Sequence, residues 1–407
     1  MKYLILLDEY WPFPDANGLC IDNIIHYLNA EMVTVICRVS DEKILEEYLV
    51  DDKRILPIYF EREKSFFDRG WVGKIIYIIT HILRVLFFPI YDRKLMEMYF
   101  NVANKEIKKR KYDCVITVLN PIEAVTAGKL IKEDNTKMQW LIYDLDTVSN
   151  CSLGKIEGWF KRIYNKKILK WEREVFSEAD YIVHLESHKK HFSQAIYQEF
   201  KDKTIFQGVP LLNISRTKIK NNEPKRNTLL YAGRFYNRLR EPDVLFNIVE
   251  KAIEIDASIE LDVYTKDDSV EDLCKNLLSN KIHIHGFVSQ EILDDIITRT
   301  DILISIGNRT TIMFPSKIVS YVAKLKPIVH IYQNINDPVI PFLNNYSNAL
   351  LLDGSLEAEI NARKLIEFLL ENHRELSADD IEHTYRRYTG WYCAQEICDY
   401  MSIKKGR

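Results

Sequence analysis

MFPSKIVSYVAKLKPIVHIY, residues 313–332, joins a short helical pattern to an apolar run of strand length. Pro315 suits a first helical turn, because it has no N–H to waste there and its φ is preset. Ile318, Val319, Val322 and Ala323 fall on one helical face, while Ser316, Lys317, Ser320 and Lys324 share the other. Lys317 is the odd member. A first turn carries partial positive charge, so a lysine there costs about a few tenths of a kcal/mol unless an anion sits nearby. Free N–H groups, a hydroxyl and an ammonium converging on one spot can hold a phosphate. A solvated lysine on a surface helix fits this stretch equally well.

Outward from this helix–strand step the same alternation continues in both directions. The pattern predicts strands at 228–232, 259–264, 282–284, 302–306, 327–332 and 349–352, with a periodic helix through Val244, Leu245, Ile248, Val249 and Ala252. Upstream, strands are expected at 2–7, 32–37, 113–118, 139–143 and 181–185. Helices are expected at about 21–29, 93–109, 121–133, 158–178 and 187–198. Short apolar runs alternating with helices mark a parallel sheet covered on both faces. Residues 213–227, NISRTKIKNNEPKRN, are polar and charged and read as a linker. The expected organisation is an acceptor-side Rossmann-like domain over 1–212, the linker, a second domain over 228–387, and a segment over 388–407 returning to the first domain. Two doubly wound domains of this kind place a cleft at the carboxyl ends of their strands.

Composition narrows the function. A chain of 407 residues has room for two full cores, and 47% hydrophobic with 28% charged residues describes a globular protein. The formal charge of −3 gives no general attraction to nucleic acid. Seven cysteines are scattered without zinc-ligand spacing, and no signal peptide is visible, so reduced, buried thiols in the cytoplasm and no metal are expected. Residues 66–91, FFDRGWVGKIIYIITHILRVLFFPIY, are rich in apolar side chains, but Lys74, His81 and Arg84 interrupt any span of roughly 20. Two readings stand: a core helix with a polar stripe, or an amphipathic helix on a lipid surface with Phe66, Phe67, Trp71, Phe87 and Phe88 as anchors.

Two loops carry the chemistry. After the first strand comes DEYWPFPDANG, residues 8–18, which lacks GxGxxG and argues against a dinucleotide-dehydrogenase domain. It supplies one glycine, Gly18, for close approach by a sugar or phosphate. The second domain opens with LLYAGRFYNRLREP, residues 229–242. Gly233 ends the strand, and Arg234, Arg238 and Arg240 follow where guanidinium forks can match phosphate oxygens. Together with Ser316 and Lys317 these residues favour a diphosphate site over a solvated basic loop.

At this point the chain resembles the GT-B fold of retaining family 4 glycosyltransferases, particularly those of bacterial capsule, O-antigen and exopolysaccharide assembly. The pieces run in order: the ANG loop, SEADYIVHLES (177–187), FQGVP (206–210), YAGRFYNRLREP, IHIHGFVSQEIL (282–293), TDILISIGN (300–308) and FPSKIVSYVAKLKPIV (314–329). The resemblance covers nearly the whole chain and implies an α/β protein of two Rossmann-like doubly wound parallel-sheet domains facing a cleft. It implies that Arg234, Arg240, Ser316 and Lys317 hold the donor diphosphate. Gly233, Phe287, Val288 and Ser320 would lie at the nucleotide, and Asn17, Gly18, Asp144 and Asp146 on the acceptor side. Cations of this kind stabilise a departing diphosphate without a metal or other cofactor.

The chain also departs from the pattern. The family usually carries two glutamates separated by seven residues; here Ile312 and Ser320 stand in their places, and residues 301–356 contain no Glu. The usual histidine of the first domain has no counterpart around Val118–Pro121. No catalytic residue can therefore be carried over. The reading is a cytoplasmic hexosyltransferase-like enzyme, peripheral on a membrane surface if residues 66–91 form the lipid-facing helix, that moves a sugar from a nucleotide-sugar donor to a glycan or lipid-linked acceptor. Its rivals are a nucleotide-sugar epimerase of the same fold and a non-catalytic partner protein.

Overall fold

The computed structural model describes residues 1–28, 31–47, 54–61, 79, 83, 88–89, 91–149, 159–214, 227–236, 239–266, 279–309 and 314–405. The chain divides into two compact units, Met1–Pro210 with Arg387–Arg407, and Leu211–Arg386.

The first unit is built on seven parallel strands: β1 Lys2–Leu7, β2 Met32–Val39, β3 Ile55–Tyr59, β4 Cys114–Val118, β5 Gln139–Asp144, β6 Tyr181–Leu185 and β7 Thr204–Gln207. Their order, β3-β2-β1-β4-β5-β6-β7, reverses direction between β1 and β4. Helices on both faces bury the central strands, which is why KYLILL, CVITV and YIVHL are almost wholly apolar. Trp140 and Tyr99 are fully buried, and each satisfies its polar end: Trp140 Nε1 donates to Thr117 Oγ1 at 2.9 Å and Tyr99 Oη to Leu7 O at 2.6 Å. The helix Gly390–Lys405 packs on Ala16–Ile25, and Gln207 Nε2 donates to Cys393 O at 2.9 Å.

Three local expectations are corrected. The first helix spans Ala16–Ile25 rather than 21–29, because Asp15 caps it by accepting from Gly18 N at 2.7 Å. The pattern at 187–198 is broken into a 3₁₀ turn at Glu186–His188, one short helix at Lys189–Phe192 and a 3₁₀ stretch at Ala195–Lys203. Strands β3 and β7 are additional, and both lie at sheet edges. Pro57 sits within ILPIY because an edge strand tolerates a missing donor.

The second unit has six parallel strands: β8 Thr228–Ala232, β9 Glu260–Tyr264, β10 Ile282–His285, β11 Ile302–Ile306, β12 Ile328–Tyr332 and β13 Ala349–Asp353, in the order β10-β9-β8-β11-β12-β13. The helices Asp243–Ile255 and Ala358–Leu370 pack against one another over a core that includes Leu229, Leu261, Ile304 and Val329. Burying each such side chain contributes roughly 1.5–3 kcal/mol.

Most of the linker, and residues 62–78 with most of 80–87, lie outside the described residues. Among the segment's described residues, Ile79 and Leu83 are exposed, while Phe88 packs edge-on against Tyr164 and Trp171. Among the described residues no helix is long and apolar enough to cross a membrane.

Candidate functional site

Parallel strands deliver their carboxyl ends to one edge of a sheet, and in the second unit that edge is cationic. Its direction reverses between β8 and β11, the place where open α/β sheets bind ligands. Backbone bonding continues past the strands: Gly233 N donates to Tyr264 O at 3.0 Å, and Gly307 N to Ile331 O at 2.8 Å. The residues following β8 and β11 are therefore held in place by the sheet itself.

Lys317 begins the short helix Lys317–Ala323, whose Ile318, Val319 and Val322 are buried in line with the apolar face read from the sequence. Its Nζ donates to Ala232 O at 2.9 Å, a carbonyl that also accepts from Tyr321 Oη at 3.3 Å. Lys317 as a residue is exposed, but burial of its ammonium end and the nearby Arg240 charge lower its pKa. Arg240 is half-buried. Its Nη2 donates to Asn308 Oδ1 at 2.9 Å, and its Nε is buried without a partner among the described residues. Arg234, exposed beside Gly233, has no side-chain partner among the described residues. Ser316 occupies the N-cap position without a capping bond, and Ser316 and Ser320 are both half-buried. A lysine and an arginine close enough to repel one another, at the strand end that Arg234 follows without a side-chain partner among the described residues, offer a position for an anion.

Phe287 and Val288 follow β10, a strand two places, roughly 10 Å, from β8 in the sheet. Phe287 is 71% exposed, with Lys266 Nζ 5.2 Å from its ring centre, and Val288 is half-buried.

Sequence reasoning missed Asn308 and Arg309. Asn308 is buried beneath Arg240, and Arg309 is already paired, its Nη2 donating to Glu241 Oε2 at 2.6 Å and its Nε to Gln333 Oε1 at 3.1 Å. Gly307, just before them, has no room for a side chain: a Cβ there would lie 1.9 Å from Asp337 Oδ2. Asp337 is buried with His330, 3.3 Å from its Nε2. The only signal for Asn308 was its place immediately after Ile306–Gly307 at a strand end.

In the first unit the corresponding edge is acidic. Asn17 and Asp146 are brought together, Asn17 Nδ2 donating to Asp146 Oδ2 at 3.1 Å. Gly18 lies inside the first turn of its helix, where a Cβ would stand 2.4 Å from Glu9 O. Arg38 on β2 donates to Asp8 and, at 2.9 Å, to Glu9. Burial raises the Asp15 carboxyl to about 6 against the Gly18 N–H bond that lowers it, with the charges of Asp8, Glu9 and Asp146 adding to the rise.

Asp144 does not join Asp146 at that surface. It is fully buried, and its Oδ2 lies 2.6 Å from Nδ1 of His184, its register partner on β6. Burial raises Asp144 to about 7 and lowers His184 to about 3. Behind this pair Glu172 accepts from Ser149 N and Tyr197 Oη, both at 2.8 Å, and burial raises it to about 8. Ser149 Oγ lies 2.7 Å from His191 Nε2. Among the described residues, no group of three or more His, Cys, Asp or Glu side chains is arranged to hold a metal ion.

No protein-family model and no curated protein matches this sequence. Solved structures do. A glycosyltransferase from Rickettsia africae superposes with a TM-score of 0.61 at 15% identity, over 100% of this chain and 99% of that one. A variant of TarM from S. aureus, solved with UDP, α-GlcNAc-glycerol and fondaparinux, gives 0.59 at 13% identity over 99% of each chain. A UDP-GlcNAc 2-epimerase from Methanocaldococcus jannaschii gives 0.57 at 14% identity, over 99% of this chain and 100% of that one. Likeness at this level establishes the GT-B fold.

Proposed function

We propose that this chain is a glycosyltransferase. Its second unit takes the diphosphate of a nucleotide sugar on Arg234, Arg240, Ser316 and Lys317. Gly233 and Ser320 lie close to the nucleotide, with Phe287 and Val288 toward its base. Its first unit receives a glycan or lipid-linked acceptor near Asn17, Gly18 and Asp146, with Asp144 beneath them. Transfer proceeds with retention, in the cytoplasm, during assembly of a bacterial surface polysaccharide. Residues 66–91 are the part of the chain that would meet the membrane of a lipid-linked acceptor. The departing diphosphate draws its stabilisation from the cations, so no metal is called for.

The observation that carries this reading is the Lys317–Arg240 pair at the carboxyl ends of β8 and β11, with Arg234 following β8 without a side-chain partner among the described residues. Calorimetric titration with nucleoside diphosphates tests it. Arg234→Ala and Lys317→Ala should each weaken binding by roughly 1.5–3 kcal/mol, the scale of a charge-assisted hydrogen bond, with the fold retained. Unchanged affinity in both variants would sink the assignment. Release of nucleoside diphosphate from a donor when glycan or lipid acceptors are supplied excludes the non-catalytic partner.

Epimerisation of a nucleotide sugar is the second reading. It is favoured by Asp15, a carboxyl raised to about 6 and so poised to exchange a proton near neutrality. Interconversion of a nucleotide sugar with no acceptor present would establish it over transfer.

A further inference from the structure

A cavity of about 420 Å³ opens beside the edge strand β7, within the range that small ligands occupy. It lies under the 3₁₀ stretch Ala195–Lys203, and none of the cations or carboxylates assigned above lines it. Its walls are aromatic: Phe176, Phe192 and Phe200 line it and are otherwise buried. His184 lines it as well. The imidazole stacks on Phe192 at 3.6 Å between ring centres and 12° between planes, which fixes its orientation.

Asp144 takes Nδ1 of that ring and does not line the cavity. The imidazole therefore turns its other edge to the space, and Nε2 has no hydrogen-bond partner among the described residues. Once Asp144 is ionised, above about pH 7, it takes the Nδ1–H and leaves a lone pair at Nε2, so under those conditions the cavity contains an acceptor awaiting a donor. Toward solvent the chemistry changes sign. Lys189 and Lys201 line the cavity, both are exposed, and no Asp or Glu is among the lining residues. Aromatic walls, one acceptor inside and uncompensated ammonium groups outside describe an occupant with three parts.

We infer that this cavity is a binding site for a small aryl anion that carries a hydroxyl or N–H donor on its ring. The ring lies among the phenylalanines, the donor meets His184 Nε2, and the anionic group faces Lys189 and Lys201. The site stands apart from the donor reading: it lies in the other unit and uses none of its residues.

Titration of the full chain with 4-hydroxyphenylacetate, which has all three parts, tests the inference. Saturable one-to-one binding is expected. Phenylacetate, without the donor, and 4-hydroxyphenylethanol, without the charge, should each bind about tenfold more weakly, the scale of one lost hydrogen bond to a charged or buried partner. The double variant Lys189→Gln/Lys201→Gln changes only exposed side chains. It should lose about tenfold for the two carboxylates and nothing for the alcohol. Absence of saturable binding, equal affinity for all three compounds, or a double variant that matches the parent on the carboxylates would each overturn the inference. Nucleoside diphosphate titration of the same double variant should be unchanged, which separates this result from the fate of the donor site.

Discussion

Asn308 decides where the Arg240 guanidinium lies. Its Oδ1 accepts from Arg240 Nη2 while Arg240 Nε stays buried without a partner, so the arginine has only one described side-chain anchor. Asn308→Ala should loosen that anchor and weaken nucleoside diphosphate binding about threefold to tenfold, the worth of one modest hydrogen bond. Asn308→Asp keeps an acceptor but adds a charge that cancels the cation, so its loss should exceed that of the alanine variant, and salt should narrow the difference. Calorimetry at two ionic strengths checks both; identical affinities in all three proteins would remove Arg240 from the site. Ser320 is a milder case. Its half-buried hydroxyl lies one turn beyond Ser316, and Ser320→Glu, which offers a ribose two acceptor oxygens, should be tolerated or tighten binding in the same assay. Charged residues at strand ends were legible in the sequence because charge there is unusual. Asn308 was not, since an uncharged side chain reveals its role only through the arginine folded onto it. Asp144 was read together with Asp146, because strand alternation was visible and strand register, which pairs it with His184, was not.

At the level of elements, apolar periodicity located every central strand, and failed where periodicity is weak. The first helix begins five residues before its predicted start because its opening turn is polar and small, and a capping aspartate rather than an apolar stripe marks it. The edge strands β3 and β7 were passed over since one contains a proline and the other has only four residues. The turn after β11 is tightly constrained at Gly307. Gly307 faces the buried His330–Asp337 pair, which has no space to give. Gly307→Ala should destabilise the second unit by roughly 1–3 kcal/mol through overpacking. It should also weaken nucleotide binding, since Asn308 follows directly. A thermal unfolding midpoint equal to that of the parent would show that the turn relaxes freely.

For the whole molecule, order and spacing of the pieces made the GT-B fold readable even though no single motif was decisive. The buried titrating network of the first unit was invisible, because it draws on five successive elements whose packing, not their order, brings Asp144, Glu172, His184, His188 and His191 together. It has a consequence for stability. His184, His188 and His191, all lowered by burial, resist protonation, so the folded state loses stability as pH falls below about 6.5, their ordinary value. The raised carboxyls act in the opposite direction. Glu172 holds its proton up to about 8 in the folded state but only to about 4.5 when unfolded, so stability falls as pH rises through that interval. Above 6.5 the histidines no longer contribute and the carboxyl effect is left alone, at most about 1.4 kcal/mol per pH unit for each group. The melting temperature should therefore drop between pH 6.5 and 8, and Glu172→Gln, which can still accept from Ser149 N, should flatten that limb. A parent protein with no slope there would mean that Glu172 stays ionised.

The helix Gly390–Lys405 belongs to the first unit although the entire second unit precedes it in the chain. On the ribosome, then, the first unit cannot close until the second has been synthesised. Until residue 405 emerges, the faces that Cys393, Ala394, Ile397 and Met401 will cover remain open to water or to a chaperone. The second unit, whose described strands all lie between residues 228 and 353 and whose last residue is Arg386, is complete in the chain before that helix begins. Maturation thus runs from the inserted unit outward, and a chain released at residue 386 would hold all of the second unit while lacking the helix that closes the first.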